Sequence, residues 1–438
     1  MNTNHRQDST VLFGDRLLSR PDLSVVHNPT CCLQGEADNT TFLIPLDEAT
    51  LSKHILLLGG IGTGKTNTFF QVISQLEEKM TPSDVMIVFD TKGDFYKEFY
   101  TFGDVVISND DMATGAGKVD YWNIFAELDN DEHLIENVVE ISKAIFAEAC
   151  EKTSQVFFPN AARDIFMALM VHMVRSLPKD KCTNKNLVTL INGTTTQDLR
   201  TILNNYDEFR AMTSYISIDD SPQTQGVLSE LQQITREVFI GNFAKHGDLG
   251  IRSLVRAKKG KKIFIEYDLG LGGMLSPVYS LIFDLAIKEA LSRNRSEGNV
   301  YFITDEFKLL PHLTHIDDAV NFGRSLGIKF MIGIQNVEQI YENYGEQRAR
   351  SIMSGFLTNI SFRVNDACSR EYIQGLYGKN QKLESYLPKI QKNGMVETLR
   401  EANVIEDWDI TNLQVGEAIV GLPGSEPFKF KFEKYEEK

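Results

Sequence analysis

One octapeptide limits what this chain can fold into more than any other feature: Gly59-Gly60-Ile61-Gly62-Thr63-Gly64-Lys65-Thr66, between the apolar run Ile55 to Leu58 and a helix-forming stretch around Phe69 to Leu76. It fits G-x-x-x-x-G-K-[ST] in the strand-turn-helix setting that the pattern requires. The glycines let the backbone curl so that successive N–H groups point at one spot. The following helix adds the positive end of its dipole, and the turn is shaped for the β-phosphate of a nucleotide. Lys65 reaches the β and γ phosphates, and Thr66 offers its hydroxyl to Mg²⁺. ATP with Mg²⁺ is the cofactor this predicts, held by residues 59 to 66.

A loop of this kind belongs to a parallel sheet, and the surrounding pattern agrees. Short β-rich runs, His54 to Leu58 and Val85 to Phe89, bracket a helical one, which is the opening of a βαβ unit. From about Val119 to Val255 the period changes to that of amphipathic helices. Leu134, Val138, Ile141 and Ile145 share one stripe, Ile165, Leu169, Met173 and Leu177 a second, and Val227, Leu231, Ile234 and Val238 a third. Strand-like runs then return at Lys262 to Tyr267, Val300 to Thr304, Phe330 to Ile334, Asn359 to Val364 and Ala418 to Gly421. The expected organisation is α/β: residues 1–118 begin a nucleotide-binding domain with N-terminal strands, 119–255 form an all-helical insertion, and 256–438 complete the domain. Residues 429–438 alternate with charges and read as an edge strand running into a tail.

Two apolar strands end in acids, at Asp90 and at Asp305-Glu306. Hydrolysis needs one carboxylate to orient Mg²⁺ and another to polarise the attacking water, and consecutive Asp305 and Glu306 supply both. Asp90, in the turn Asp90-Thr91-Lys92-Gly93-Asp94, offers only the first role and is expected to line the nucleotide crevice.

The formal charge of −15 argues against a protein that coats nucleic acid non-specifically, though not against one that holds DNA in a small basic channel. The densest basic run, Arg252, Arg256, Lys258, Lys259, Lys261 and Lys262, is the candidate for such a contact, weighed against a solvated turn that offsets the acidic surface. Five cysteines without zinc spacing read as reduced thiols of a cytoplasmic protein. No run of roughly 20 apolar residues predicts a membrane-spanning segment. His312 and His315 lack a visible third metal ligand and read as polar loop residues.

These motifs together resemble the conjugative coupling proteins of type IV secretion, TraD-like and TraG-like, within the HerA/FtsK superfamily of motors. The likeness runs from about residue 50 to 425. It rests on Gly62 to Thr66, on the Asp90 to Asp94 turn where the family has Asp-Pro-Lys-Gly-acid, and on the helical insertion ahead of the acidic-pair strand Phe302 to Phe307. It also rests on Gly323-Arg324-Ser325-Leu326-Gly327-Ile328 and on Gly333-Ile334-Gln335-Asn336. The resemblance implies a RecA-like P-loop fold with a mostly parallel central sheet, a homohexameric ring, Gln335 as γ-phosphate sensor and Arg324 as an arginine acting on the neighbouring subunit's site. Arg350 and Arg363 are weaker candidates for that last role. Thr91 stands where the family has proline, and the family's amino-terminal membrane helices have no counterpart in this sequence, which loosens the tie to conjugation more than the tie to a motor.

The expectation is an ATPase that moves DNA, or a relaxase-DNA conjugate, through its ring. Residues 119–255 would select a relaxase or secretion-channel partner, reached at the cytoplasmic face of the membrane. Two rivals stand beside it: a DNA-processing or defence motor working with a nuclease, and an ATP-bound docking receptor that never moves DNA.

Overall fold

The computed structural model describes residues 8–23, 25–111, 119–128, 133–292, 297–386 and 396–437. In chain order the strands are β1 (Asp8–Phe13), β2 (Cys31–Ala37), β3 (Thr40–Leu46), β4 (Ile55–Leu58), β5 (Val85–Asp90), β6 (Val105–Ile107) and β7 (Lys261–Glu266), followed by β8 (Val300–Thr304), β9 (Ile328–Ile334), β10 (Thr358–Phe362), β11 (Lys379–Tyr386), β12 (Val396–Asn403), β13 (Glu417–Gly421) and β14 (Phe428–Phe432). They divide between two compact units that interleave along the chain. The first comprises residues 1–79, 304–308 and 329–438, and the second 80–303 and 309–328.

In the first unit the strand order is β3-β2-β14-β13-β10-β4-β9. β10, β4 and β9 run parallel, with Leu57 level with both Ile360 and Gly333. These strands read as continuous apolar runs because both faces are covered: every residue of β4, β9 and β10 is buried. β13, β14, β2 and β3 continue the sheet antiparallel. The sequence suggests an edge strand for 429–438, but β14 lies between β13 and β2 instead. Phe428, Phe430 and Phe432 fill the inward positions, and a strand with one wholly aromatic face is stabilised by a neighbour on each side. β1, β11 and β12 form a separate antiparallel ribbon.

In the second unit the order is β8-β5-β7-β6, with β5, β7 and β6 parallel. The long helices fall in this unit: Leu134–Lys152, Phe157–Ser176, Pro222–Val238 and Gly272–Ala290. Val138, Ile141, Ile145, Ile165, Leu169, Met173, Val227, Leu231, Ile234 and Val238 are all buried, as their spacing requires. Each such side chain contributes on the order of 1.5–3 kcal/mol. Leu177 is 41% exposed, because its helix stops at Ser176 and the stripe ends with it. The boundary expected after residue 118 touches segment 112–118, which lies outside the described residues. Among the described residues no helix is long and apolar enough to cross a membrane.

Candidate functional site

β4 delivers the chain into the turn at Gly59, and a helix, Lys65–Lys79, leaves it. The turn needs glycine where its backbone is left-handed, at Gly62 (φ +71°) and Gly64 (φ +120°). Its base is pinned from both neighbouring strands: Gly59 N donates to Ile334 O at 3.1 Å, and Gly60 N donates to Arg363 O at 3.0 Å. Thr63 Oγ1 donates to Gly60 O at 2.8 Å and Gly416 N to Thr63 O at 2.9 Å. Lys65 is buried, and its ammonium donates to Gly59 O at 2.5 Å and Gly60 O at 3.1 Å, which holds a positive charge inside the curl. Ile61 and Gly62 are exposed at the tip, and Thr66 is half-buried in the first helical turn.

Asp305 and Glu306 lie in this same unit, directly after β8. β9 flanks β4, and a Cβ built on Gly333 of β9 would stand 2.6 Å from Asp305 O. The acidic pair is thus packed against the strand beside the one that carries the loop. Asp305 is buried. Glu306 accepts from Gln335 Nε2 at 2.5 Å through Oε1, while its Oε2 is buried with no hydrogen-bond partner. A carboxylate held on one oxygen and unmet on the other is what a water-activating group needs. Together with the curled loop and its buried ammonium, this donor set fits a magnesium nucleotide.

The remaining sequence candidates are placed differently. Asp90 belongs to the second unit and caps its own turn, accepting from Lys92 N, Gly93 N and Tyr96 N at 3.2, 2.9 and 2.8 Å. Burial raises its pKa against those hydrogen bonds. Beside it in register, Glu266 is pushed up to about 7, by burial first and by Asp90 second, against a side-chain hydrogen bond from Ser108. Arg324 is exposed on a short 3₁₀ turn of the second unit. Arg350 pairs with Glu346 one turn earlier on its own helix and covers the Tyr341 ring. Arg363 reaches the loop through its carbonyl, and its side chain is exposed.

The basic run is largely committed inside the second unit. Glu289, 7% exposed, accepts from Arg252 at 3.1 Å and Arg256 at 2.9 Å. Lys258 is buried and donates to Glu297 O at 2.9 Å, and Lys262 is buried 3.5 Å from Asp104. Lys259 is exposed and Lys261 half-buried.

The fold supplies what the histidines lacked in sequence. His315 Nδ1 is 2.9 Å from Asp284 Oδ2, and Nε2 is 3.4 Å from Glu140 Oε1. Lys288 also bonds Glu140, so an ammonium already serves as the cation there.

Sequence reasoning missed the backbone that braces the loop, Gly416 N and Arg363 O, and the close approach of Gly333 to Asp305. A glycine within an apolar strand was the available signal for the last of these, since it marks close backbone approach.

Comparison with known proteins agrees with this geometry. Residues 40–427 match the model of the type IV secretion-system coupling protein DNA-binding domain. Coupling protein TraD of Escherichia coli K12 is 22% identical over 398 residues, 88% of this chain and 53% of TraD, so the chain spans about half of that relative's length. The conjugative coupling protein TrwBdeltaN70, unbound, superposes with a TM-score of 0.74 at 18% identity, covering 99% of this chain and 95% of that one. TrwB in complex with ADP and Mg²⁺ gives 0.71 at 18%, covering 100% and 97%.

Proposed function

The chain belongs to the type IV secretion-system coupling proteins, matched through their DNA-binding domain, and on that footing we propose that it is a Mg²⁺-dependent ATPase that drives DNA, alone or joined to a relaxase, through a homohexameric ring. The similar TrwB carries ADP and Mg²⁺ in one of its structures. The observation that carries the reading is Glu306, gripped by Gln335 on one oxygen and buried without a partner on the other, in the same compact unit as the phosphate loop.

Bound magnesium nucleotide supplies the electrophilic phosphorus and a divalent charge beside it. The chain's own residues do the rest. Successive N–H groups of Gly59 to Lys65 and the end of helix Lys65–Lys79 favour the phosphate charge. Lys65 would exchange its loop carbonyls for phosphate oxygens, Thr66 and Asp305 would hold the metal, and Glu306 would take a proton from water through Oε2. Gln335 fixes the Glu306 rotamer, so a change felt at Gln335 alters the base directly. Arg324, exposed on its turn, serves a neighbouring subunit's site, which makes turnover depend on assembly. The helices between 119 and 255 select the relaxase or channel partner, and the ring works in the cytoplasm against the membrane face through that partner.

A second reading, an ATP-bound docking receptor that moves no DNA, is favoured by one observation: four of the six cations in the densest basic run are tied up within the fold. ATPase rate measured against protein concentration, with and without DNA at low salt, separates the two. A translocase shows turnover that rises steeply with concentration and again with DNA; turnover indifferent to DNA leaves the receptor. Lys65→Ala should lose ATP binding, and Glu306→Gln should bind ATP but turn over on the order of 10²-fold or more slowly. Native turnover by Glu306→Gln removes the assignment.

A further inference from the structure

In the second unit, His315 meets carboxylates from two helices that pack on one another, Leu134–Lys152 and Gly272–Ala290. Asp284, with its side chain 8% exposed, accepts from His315 N at 2.9 Å through Oδ1 and stands 2.9 Å from the ring Nδ1 through Oδ2, so backbone and imidazole are fixed together. A carboxylate accepts, so in the neutral ring Nδ1 carries the hydrogen and Nε2 presents a lone pair. What Nε2 faces is Glu140 Oε1, 3.4 Å away and buried without a hydrogen bond. Lys288 is bonded to the other oxygen of that carboxylate, Oε2.

Two electron-rich atoms aimed at each other across that gap repel unless a positive centre lies between them. Ligands set tetrahedrally around zinc, each about 2.0–2.2 Å from it, are roughly 3.4 Å apart, and the gap has that width. A carboxylate behind the far nitrogen is the usual support of a metal-bound imidazole, and Asp284 supplies it. One ligand atom from each of Glu140, Asp284 and His315 can lie within 4.8 Å of the other two. A separate observation points to a ligand in the same place. Ser280, one helical turn before Asp284, is 6% exposed, and its Oγ has no hydrogen-bond partner. With Asp284 and His312 it lines a cavity of about 10 Å³, close to the room one water molecule needs. A water completing a metal's shell would satisfy that hydroxyl.

We propose that Glu140 and His315, with Asp284 behind the imidazole, form a site for a divalent transition-metal ion of the zinc type. Nitrogen with carboxylate oxygen suits zinc or cobalt, whereas Mg²⁺ keeps to oxygen ligands. The site lies wholly in the second unit, whereas the phosphate loop, Asp305 and Glu306 belong to the first, so the inference goes beyond the nucleotide reading. The ion would pin the histidine turn to both helices. Lys288, the cation already on Glu140, opposes it as a like charge; its side chain is 29% exposed and can turn to solvent.

The test titrates Co²⁺, read by its visible d–d absorption, and Zn²⁺ by competition, into the full chain without nucleotide near pH 8, because a ligating imidazole must be unprotonated. The parent, Glu140→Gln, His315→Gln, Asp284→Asn and Lys288→Met are compared. The parent should bind saturably, Glu140→Gln and His315→Gln should lose that binding, and Asp284→Asn should weaken it about 10- to 100-fold. Lys288→Met should bind about tenfold more tightly, a gain that misfolding cannot produce. No saturable binding in the parent, binding seen in Lys288→Met alone, or parental affinity in His315→Gln overturns the site. The first two of those results would leave imidazolium and ammonium as the cations there.

Discussion

Gly333→Ala tests how closely the acidic pair depends on the strand beside it. The added Cβ would stand 2.6 Å from Asp305 O, 3.0 Å from Asp305 Cα and 3.1 Å from its carbonyl carbon. All three are main-chain atoms, so no rotamer change relieves the contact. Restoring an ordinary separation of about 3.4 Å requires the two backbones to part by roughly 0.8 Å at the tightest point. Overpacking on this scale costs about 1–3 kcal/mol of stability. The displaced atoms belong to the residue preceding Glu306, and a shift near 1 Å in a catalytic group lowers rate by on the order of 10²-fold. Gly333→Ala should therefore fold, melt lower, bind ATP about as well as the parent through an untouched loop, and turn over 10- to 100-fold more slowly. The assay is steady-state phosphate release beside a nucleotide titration and a thermal melt on the same preparation. Turnover within about twofold of the parent would refute the claim that β9 sets the position of Asp305 and Glu306.

Two further predictions concern buried charge in the second unit. Glu266 has its folded pKa raised to about 7 from 4.5, so its contribution to stability is complete below about pH 4.5 and is lost as pH rises through 7. Glu266→Gln should match the parent near pH 5 and exceed it at pH 8 by on the order of 1–3 kcal/mol in denaturant unfolding, at about 1.4 kcal/mol per pKa unit; a gap that does not widen with pH would count against it. Glu289→Ala should destabilise by on the order of 3 kcal/mol, because Arg252, with its side chain 13% exposed, loses a buried partner, whereas Arg256 at 51% contributes little. An unchanged unfolding midpoint would show that the pair is not needed.

What could be read from the sequence divides along the range of the interactions involved. The turn at 59 to 66 is specified by its own residues: two glycines at positive φ, a strand before it and a helix after it. The stripes at Val138, Ile165 and Val227 follow from helical period alone, and they weaken at helix ends, at half-buried Leu134 and exposed Leu177. The basic run is the opposite case. Six cations close together in sequence look free, but Glu289, Asp104 and Glu297 approach them only after folding, from 33, 158 and 39 residues away. Charge along a chain is not charge on a surface. The tail at 429 to 438 misleads for a related reason. Period-two alternation shows that one face is buried and is silent about strand neighbours, and β14 has one on each side.

Asp305 and Glu306 sit between these extremes, and they show why a site can be named from sequence before its mechanics can. The residue types and the strand end are local, so the pair stands out as a candidate. What fits Glu306 to the proposed role of base is not local: Gln335, 29 residues on, occupies one oxygen and leaves the other. The same strand brings Gly333 against Asp305. β9 therefore performs two tasks, with Gly333 inside the strand and Gln335 just beyond its last residue. Bulk at the first moves the acids' backbone, and loss of the amide at the second releases the Glu306 carboxylate from its held rotamer without shifting that backbone. The two positions should accordingly separate in experiment, with a structural penalty at Gly333 and, at Gln335, a change in turnover at nearly constant stability.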